Sequence, residues 1–333
     1  MTTSAGDETR ATEAWFVAHG LPYFVDDLRS EVRRGLERPR LLRLLVVALV
    51  VGTAVGSGFT WAFADADAGV VWGVTVALLV VVGYALTTLR ARVIAGWAVR
   101  RTFGSLGQLF PLVTRALPLL LLFITFLFIN AEVWEVASGL DGSVMWLTVA
   151  LFTAITVAFL LARLPEEMQV FDDELEVARV VAGCRGTPLE EWAATHDREA
   201  QEVMGQDGIA GLQKANLLLM LLIAQIVQVL LLSLAVCGFF VVFGLLVMEP
   251  GIIRNWTGEE TLRAVPFFER ANMELLQVSV FLAAFSGLYF TVYAVTDEVY
   301  RRQFFTSIVR ELERAVSVRV AYRALKAGQA PGT

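Results

Sequence analysis

Charged residues interrupt the apolar positions of this chain so sparingly that six uncharged runs stand out: Leu44–Ala64, Ala68–Leu89, Ala116–Ala131, Gly142–Ala162, Ala215–Met248 and Leu275–Thr296. A hydrocarbon core about 30 Å thick takes roughly 20 apolar helical residues, and four of the runs match that length. Inside a bilayer every backbone amide must pair within its own segment, so the runs predict helices; no alternating barrel pattern competes. The expected fold is all-α, a polytopic membrane helix bundle with six transmembrane helices, both termini cytoplasmic, and amphipathic cytoplasmic helices. Its parts are an N-terminal amphipathic segment (1–43), spans one to four (44–162), a cytoplasmic helical segment (163–214), spans five and six (215–296) with an outer loop (249–274), and a C-terminal cytoplasmic helix (297–333).

Two runs depart from the bilayer length. Residues 215–248 would extend roughly 51 Å as a straight helix, too long for one crossing and too short for two with a turn. Such a run either tilts and projects or bends, with Gly238 and Gly244 as bending points, although glycine in a membrane helix also marks close packing. Residues 116–131 reach only about 24 Å, which brings Asn130, Glu132 and Glu135 toward the outer membrane level.

Helical stripes recur between the runs. Val25, Leu28, Val32 and Leu36 alternate with charged residues, predicting an amphipathic helix suited to the inner membrane surface. Met168, Phe171, Leu175, Ala178 and Ala182 form a second stripe, followed by a capping box at Thr187, Pro188 and Glu190. Phe305, Val309, Leu312, Val316 and Val320 form a third, spaced for helix pairing. Such stripes bury against one another as a compact intracellular bundle; the functional alternative is an oligomerisation or gating element. Gly52 and Gly56 make one GxxxG packing motif in the first run.

Charge orients these elements. Of the 27 Lys and Arg residues, all but Arg254, Arg263 and Arg270 lie in the two ends or in segments 90–115 and 163–214. Basic residues are held back from translocation, so the ends and long polar segments are expected inside. Trp61, Trp72, Trp134 and Trp146 then fall at the outer ends of their spans, where indoles prefer to sit. The 56% hydrophobic content argues against disorder. The polar N-terminal segment lacks the apolar core of a signal peptide, so the first span is expected to direct insertion. Cys184 and Cys237 fall in different environments, which argues against a structural disulfide. Lys214 and Lys326 are the only lysines, and this bias points to a high-GC bacterium.

The stretches Trp15–Val25 (WFVAHGLPYFV) and Pro118–Trp134 (PLLLLFITFLFINAEVW) resemble multipass integral membrane proteins of actinobacteria. The resemblance implies a bacterial plasma membrane. It transfers no activity and no site residue.

Polar residues retained in apolar surroundings are the candidate chemistry. Gln225 and Gln228 stand at i and i+3, so both amides face one direction, into the bundle or a subunit interface; they either bond between helices or line a path. Glu132 and Glu135 share a helical face near the outer level, where carboxylates attract cations unless they are merely an exposed helix end. Ten acidic residues against three Arg on the outer side would enrich cations there, although charge sorting alone depletes outer bases.

Other chemistries lack their residue sets. His19 and His196 belong to no zinc pattern, and the chain has no nucleophile elbow, phosphate-binding loop, potassium filter or voltage-sensor repeat. Asp172, Asp173, Glu174, Leu175 and Glu176 superficially resemble an acidic magnesium–diphosphate motif, but without a second acidic motif they read as a solvated helix face. No enzyme activity, cofactor, metal or nucleic acid is expected. The expected partners are the lipid bilayer, further copies of the chain as a homo-oligomer, and a cytoplasmic protein. The leading expectation is a channel or transporter for a small cation, with Asn130, Glu132, Glu135, Gln225 and Gln228 as candidate pathway or interface residues. Its alternative is a non-conducting scaffold or signalling subunit that recruits a partner through its cytoplasmic helices.

Overall fold

The computed structural model describes residues 5–64, 66–104, 121–172, 177–196, 210–265, 268–296 and 298–329. Helices dominate, as the runs require. They are α1 (Ala5–Ala18), α2 (Asp26–Gly35), α3 (Arg38–Phe63), α4 (Ala66–Thr87), α5 (Ala91–Gly104), α6 (Leu121–Phe128), α7 (Ala131–Ser138) and α8 (Gly142–Asp172). There follow α9 (Val177–Gly183), α10 (Glu190–Thr195), α11 (Gly211–Val247), α12 (Pro250–Thr257), α13 (Met273–Thr296) and α14 (Glu298–Gln329). A 3-10 turn at Pro22–Phe24 and an antiparallel pair, β1 (Ala264–Val265) with β2 (Phe268–Asn272), complete the elements.

Among the described residues five helices are long and apolar enough to cross a membrane: α3, α4, α11, and the parts of α8 and α13 at Val144–Leu164 and Met273–Ala294. The short third run instead gives α6 and α7, bent by 75°. The bend has a local cause. Asn130 is extended (φ −99°) and its side chain accepts a hydrogen bond from the Glu132 amide at 2.8 Å. That amide would otherwise continue the helix by bonding to the Phe128 carbonyl, so the cap starts α7 and orphans an acceptor. The Trp134 indole donates to that carbonyl at 2.6 Å. Trp134 is accordingly 0% exposed, and a residue expected at the membrane interface is a buried pin; Trp61 is 90% exposed.

The chain divides into two compact units. The first comprises residues 1–103, 164–224 and 305–333. In its α3–α4 hairpin the expected GxxxG of α3 meets a second one, Gly69 and Gly73 of α4. A β carbon at Gly52 would lie 2.7 Å from the Gly73 carbonyl oxygen, and one at Gly56 2.7 Å from that of Gly69. The two backbones touch, which no larger residue permits. Outside this seam Leu42, Leu45, Leu49, Val70 and Leu78 are exposed. Leaving each such Leu in water forfeits about 1.5–3 kcal/mol, so the surface is suited to lipid rather than to water.

The polar part of this unit is held together by both ends of the chain. Phe16, Leu21, Tyr23, Phe24 and Val32 are buried. Asn216, in the first turns of α11, accepts from the Tyr23 amide at 3.0 Å and donates to the Gly20 carbonyl at 2.8 Å. Gly20 turns the chain with φ +76° against the Trp97 side chain, where a β carbon would sit only 3.0 Å away. The Tyr23 hydroxyl donates to the Leu89 carbonyl and the Tyr84 hydroxyl to that of Gly35. Burial raises the Tyr23 pKa above its ordinary value. From the other end, Tyr322 meets Phe16 edge-on at 5.6 Å and donates its hydroxyl to Glu13. Lys326 pairs with Asp26 at 2.9 Å. Arg314 lies over the Trp15 ring at 5.7 Å and donates to the Arg185 and Gly186 carbonyls. Of the α2 stripe Val25 and Val32 are buried against protein, Leu28 is half-buried and Leu36 is exposed. The expected capping box does not start a helix: α10 begins after Leu189, which makes no side-chain cap, while in the preceding turn Thr187 accepts from the Leu189 amide and Glu190 accepts from the Gly186 amide at 2.8 Å.

Continuous α11 explains the over-long fifth run. Its residues up to Ala224 belong to the first unit, where Asn216, Leu217, Met220 and Leu221 are buried. Those after Ala224 cover roughly 34 Å, one bilayer crossing. The run forms one unbroken helix. Nothing lies within 4 Å of a β carbon at Gly238, whereas one at Gly244 would collide with Leu275.

The second unit comprises residues 104–163 and 225–304. Its most enclosed helix is α13, with 56% of its apolar window buried. Gly287 of α13 lets Ser233 and Val229 of α11 approach closely, and Phe128 of α6 stacks on Phe240 of α11 at 4.8 Å. Several positions singled out in the sequence lie outside the described residues: Asp65, Arg115, Asp173, Glu174, Leu175, Glu176 and Asp297, with the side chains of Met168, Phe171, Asp172, Ala178, Glu269, Phe305, Val309 and Leu312.

The glycine seam is testable. Gly56→Leu should destabilise the detergent-solubilised protein by about 1–3 kcal/mol in denaturant unfolding. Gly58→Ala, two residues further on and with open space around its β carbon, should leave stability unchanged or raise it by up to about 1 kcal/mol.

Candidate functional site

The residues nominated from the sequence do not converge. Asn130 is occupied as the cap of α7. Glu132 and Glu135 are exposed, on the face of α7 opposite the buried Trp134, Ala137 and Ser138. Gln225 and Gln228 do face inward, at 0% and 7% exposed. Phe128, just before α7, packs on Phe240, which lies roughly 22 Å along α11 from Gln225. The carboxylates and the amides therefore occupy different levels of the second unit.

The Gln225 amide is nevertheless unusual. Among the described residues neither its oxygen nor its nitrogen has a hydrogen-bond partner, and the Gln228 oxygen has none either. Both amides lie among apolar residues of α11, where an unmet amide costs about 1–3 kcal/mol. Bonding between helices, expected from the sequence, is not what these contacts provide.

The strongest polar convergence is one the sequence reading missed. Arg263 donates from Nε to Glu274 at 2.9 Å, from Nη1 to Asp141 at 2.5 Å and from Nη2 to the Gln277 side-chain oxygen at 2.8 Å. Gln277 in turn donates to Asp141 at 3.0 Å and to the Leu140 carbonyl at 3.1 Å. Asn272 caps the start of α13 by accepting from the Leu275 amide at 2.8 Å, which fixes the turn carrying Glu274 and Gln277. Hydrogen bonds from Arg263 and Gln277 hold the Asp141 carboxyl below the usual carboxylate range, and those to Asp141 and Glu274 raise the Arg263 pKa.

The two ion pairs differ in weight. The Asp141 side chain is 67% exposed, so solvent screens its pair with Arg263; that of Glu274 is 1% exposed. Arg263 therefore acts chiefly by compensating a buried carboxylate, tying the α7–α8 link to the start of α13. Two of the acids expected to form a negative outer mouth are thereby neutralised. The available signal was Arg263 itself, one of three bases kept where bases are depleted.

Other reactive groups are engaged structurally. His19 stacks on Trp15 at 4.0 Å and His196 on Trp192 at 4.8 Å. Burial pushes the Cys184 thiol up to about 11. Among the described residues no group of three or more His, Cys, Asp and Glu is placed to hold a metal.

Arg263→Met should destabilise the protein by about 3 kcal/mol in denaturant unfolding, because it strands the Glu274 carboxylate; the half-exposed guanidinium keeps the loss at the low end for a buried pair. Glu132→Gln and Glu135→Gln should each stay within about 0.5 kcal/mol. Because the folded Asp141 pKa is depressed, its contribution is present above the unfolded value of about 3.9 and lost as pH falls through the folded value. Asp141→Asn should therefore flatten the loss of stability seen on acidification below about pH 4. The sequence matches no protein-family model and no curated protein, and no solved structure matches the chain.

Proposed function

We propose that this chain is a multipass protein of a bacterial plasma membrane, crossing six times with both ends inside, and that it is a non-conducting scaffold whose packed helical unit engages a cytoplasmic partner. The observation that carries the reading is the joining of the two chain ends, Glu13 and Phe16 with Tyr322. Segments packed in one unit outside the bilayer share a side, so the chain between them crosses an even number of times. Between Gly35 and Tyr84, which are hydrogen-bonded, lie α3 and α4. Between Asn216 and Arg314 lie α11 and α13. Between Leu89 and Arg185 the apolar part of α8 supplies one crossing, and parity assigns the other to the bent pair α6–α7. The clustering of basic residues in these segments gives the side.

The scaffold is favoured over a cation path because Glu132 and Glu135 lie apart from Gln225 and Gln228, while Arg263 neutralises Asp141 and Glu274. The path reading keeps one observation, the unpartnered amide of Gln225. Reconstituted vesicles separate the two. The scaffold requires potassium and sodium flux no greater than in empty vesicles; flux that Gln225→Leu abolishes would establish the path instead.

Topology has its own measurement. On a Cys237→Ala background, Ser30→Cys and Glu259→Cys should react with an impermeant maleimide from opposite faces of the membrane, while buried Cys184 stays unreactive at neutral pH. Reaction of both from one face would overturn the six-crossing assignment.

A further inference from the structure

We propose that a basic pocket at the charged end of the α3–α4 hairpin binds the phosphate of an anionic phospholipid headgroup; this rests on the membrane reading above. The cavity has a volume of about 520 Å³ and is lined by Glu31, Arg34, Arg40, Thr87, Arg90 and Arg92 among others, a size that suits a small ligand. Its charge is unbalanced. Glu31 is the one carboxylate in the lining, and Arg90 already holds it at 2.7 Å. Among the described residues Arg34, Arg40 and Arg92 have no ion-pair partner. Converging guanidiniums repel one another unless an anion lies between them, and their planar forks match phosphate oxygens.

The backbone under these arginines is fixed in advance. Arg90 stands in the left-handed region at φ +56°, an unfavourable conformation for a residue with a β carbon. The Tyr23 hydroxyl holds the preceding Leu89 carbonyl, and the Tyr84 hydroxyl holds the Gly35 carbonyl beside Arg34. The Thr87 hydroxyl proton is committed to the Gly83 carbonyl at 2.7 Å, so the arginines, with the Thr88 hydroxyl beside them in the lining, supply the anion's donors. The first turn of α3 carries Arg38 and Arg40 with no acid, contrary to the preference of a helix N-terminus.

Position selects lipid over a soluble phosphate. Leu42, Leu45 and Leu86, on the same ends of α3 and α4, are exposed apolar residues. A phospholipid seated there lays its acyl chains along them and its phosphate at the charged boundary.

The test uses full-length protein in detergent and fluorescent phosphatidylglycerol, with phosphatidylcholine and inorganic phosphate as competitors. The expected result is competition by neither, and a loss of phosphatidylglycerol affinity of roughly fivefold per arginine removed in R34Q/R92Q and in R40Q. R10Q, at an arginine that pairs with Asp7 and does not line the pocket, leaves affinity unchanged. Competition by inorganic phosphate, itself weakened in R34Q/R92Q, would support the arginine site and make soluble phosphate its source. Undiminished phosphatidylglycerol binding in R40Q and in helical, normally melting R34Q/R92Q would overturn the proposal. Failure of the wild type to float with vesicles of either lipid would instead sink the membrane reading.

Discussion

A carbonyl abandoned by its own helix finds no replacement in hydrocarbon, and the arrangement of this chain turns on how one such carbonyl is satisfied. Asn130 diverts the Glu132 amide, the Phe128 oxygen is left over, and the Trp134 indole reaches back to it. With that bond the chain can turn by 75° without an unmet acceptor. The same turn brings Phe128 against Phe240 and buries the apolar face of α7. In the proposed topology it also supplies the crossing that returns the chain to the side where its two ends meet.

Arginine plays opposite parts in the two units. Arg263 is surrounded by acceptors and compensates a carboxylate that would otherwise be stranded, so its contribution is structural. Around the hairpin pocket the donors outnumber the acceptors: Arg90 is taken by Glu31, and the tyrosines that fix the backbone bond to carbonyls rather than to Arg34, Arg40 or Arg92. The distinction lies in what each guanidinium has left to bind.

The membrane-length helices were legible because charge marks their limits, and the inward direction of Gln225 and Gln228 followed from the expense of exposing an amide to lipid. What an apolar count could not carry is direction. Residues 116–131 read as a short helix, and the cap that breaks it is a local competition for one amide that leaves no trace in hydropathy. Trp134 was misplaced for the same reason, since an indole donor suits either an interface or an orphaned carbonyl. The length of residues 215–248 was a correct anomaly, explained only by seeing that the first turns of α11 belong to a packed unit. Gly69 and Gly73 were visible but acquire meaning only opposite Gly52 and Gly56. The candidate site was least legible, because the partners of Arg263 come from segments far apart in the chain.

The meeting of Phe16 with Tyr322 has a consequence for synthesis. Phe16 is synthesised about 300 residues before the Tyr322 that completes its packing. Until then Phe16 and Phe24 lack part of their packing, and long-range closure of this kind is slow. In the proposed topology closure also requires every crossing between Phe16 and Tyr322 to be made, because one missed crossing would deliver Tyr322 to the opposite face. In that topology the aromatic core closes only after the whole itinerary through the bilayer has been followed.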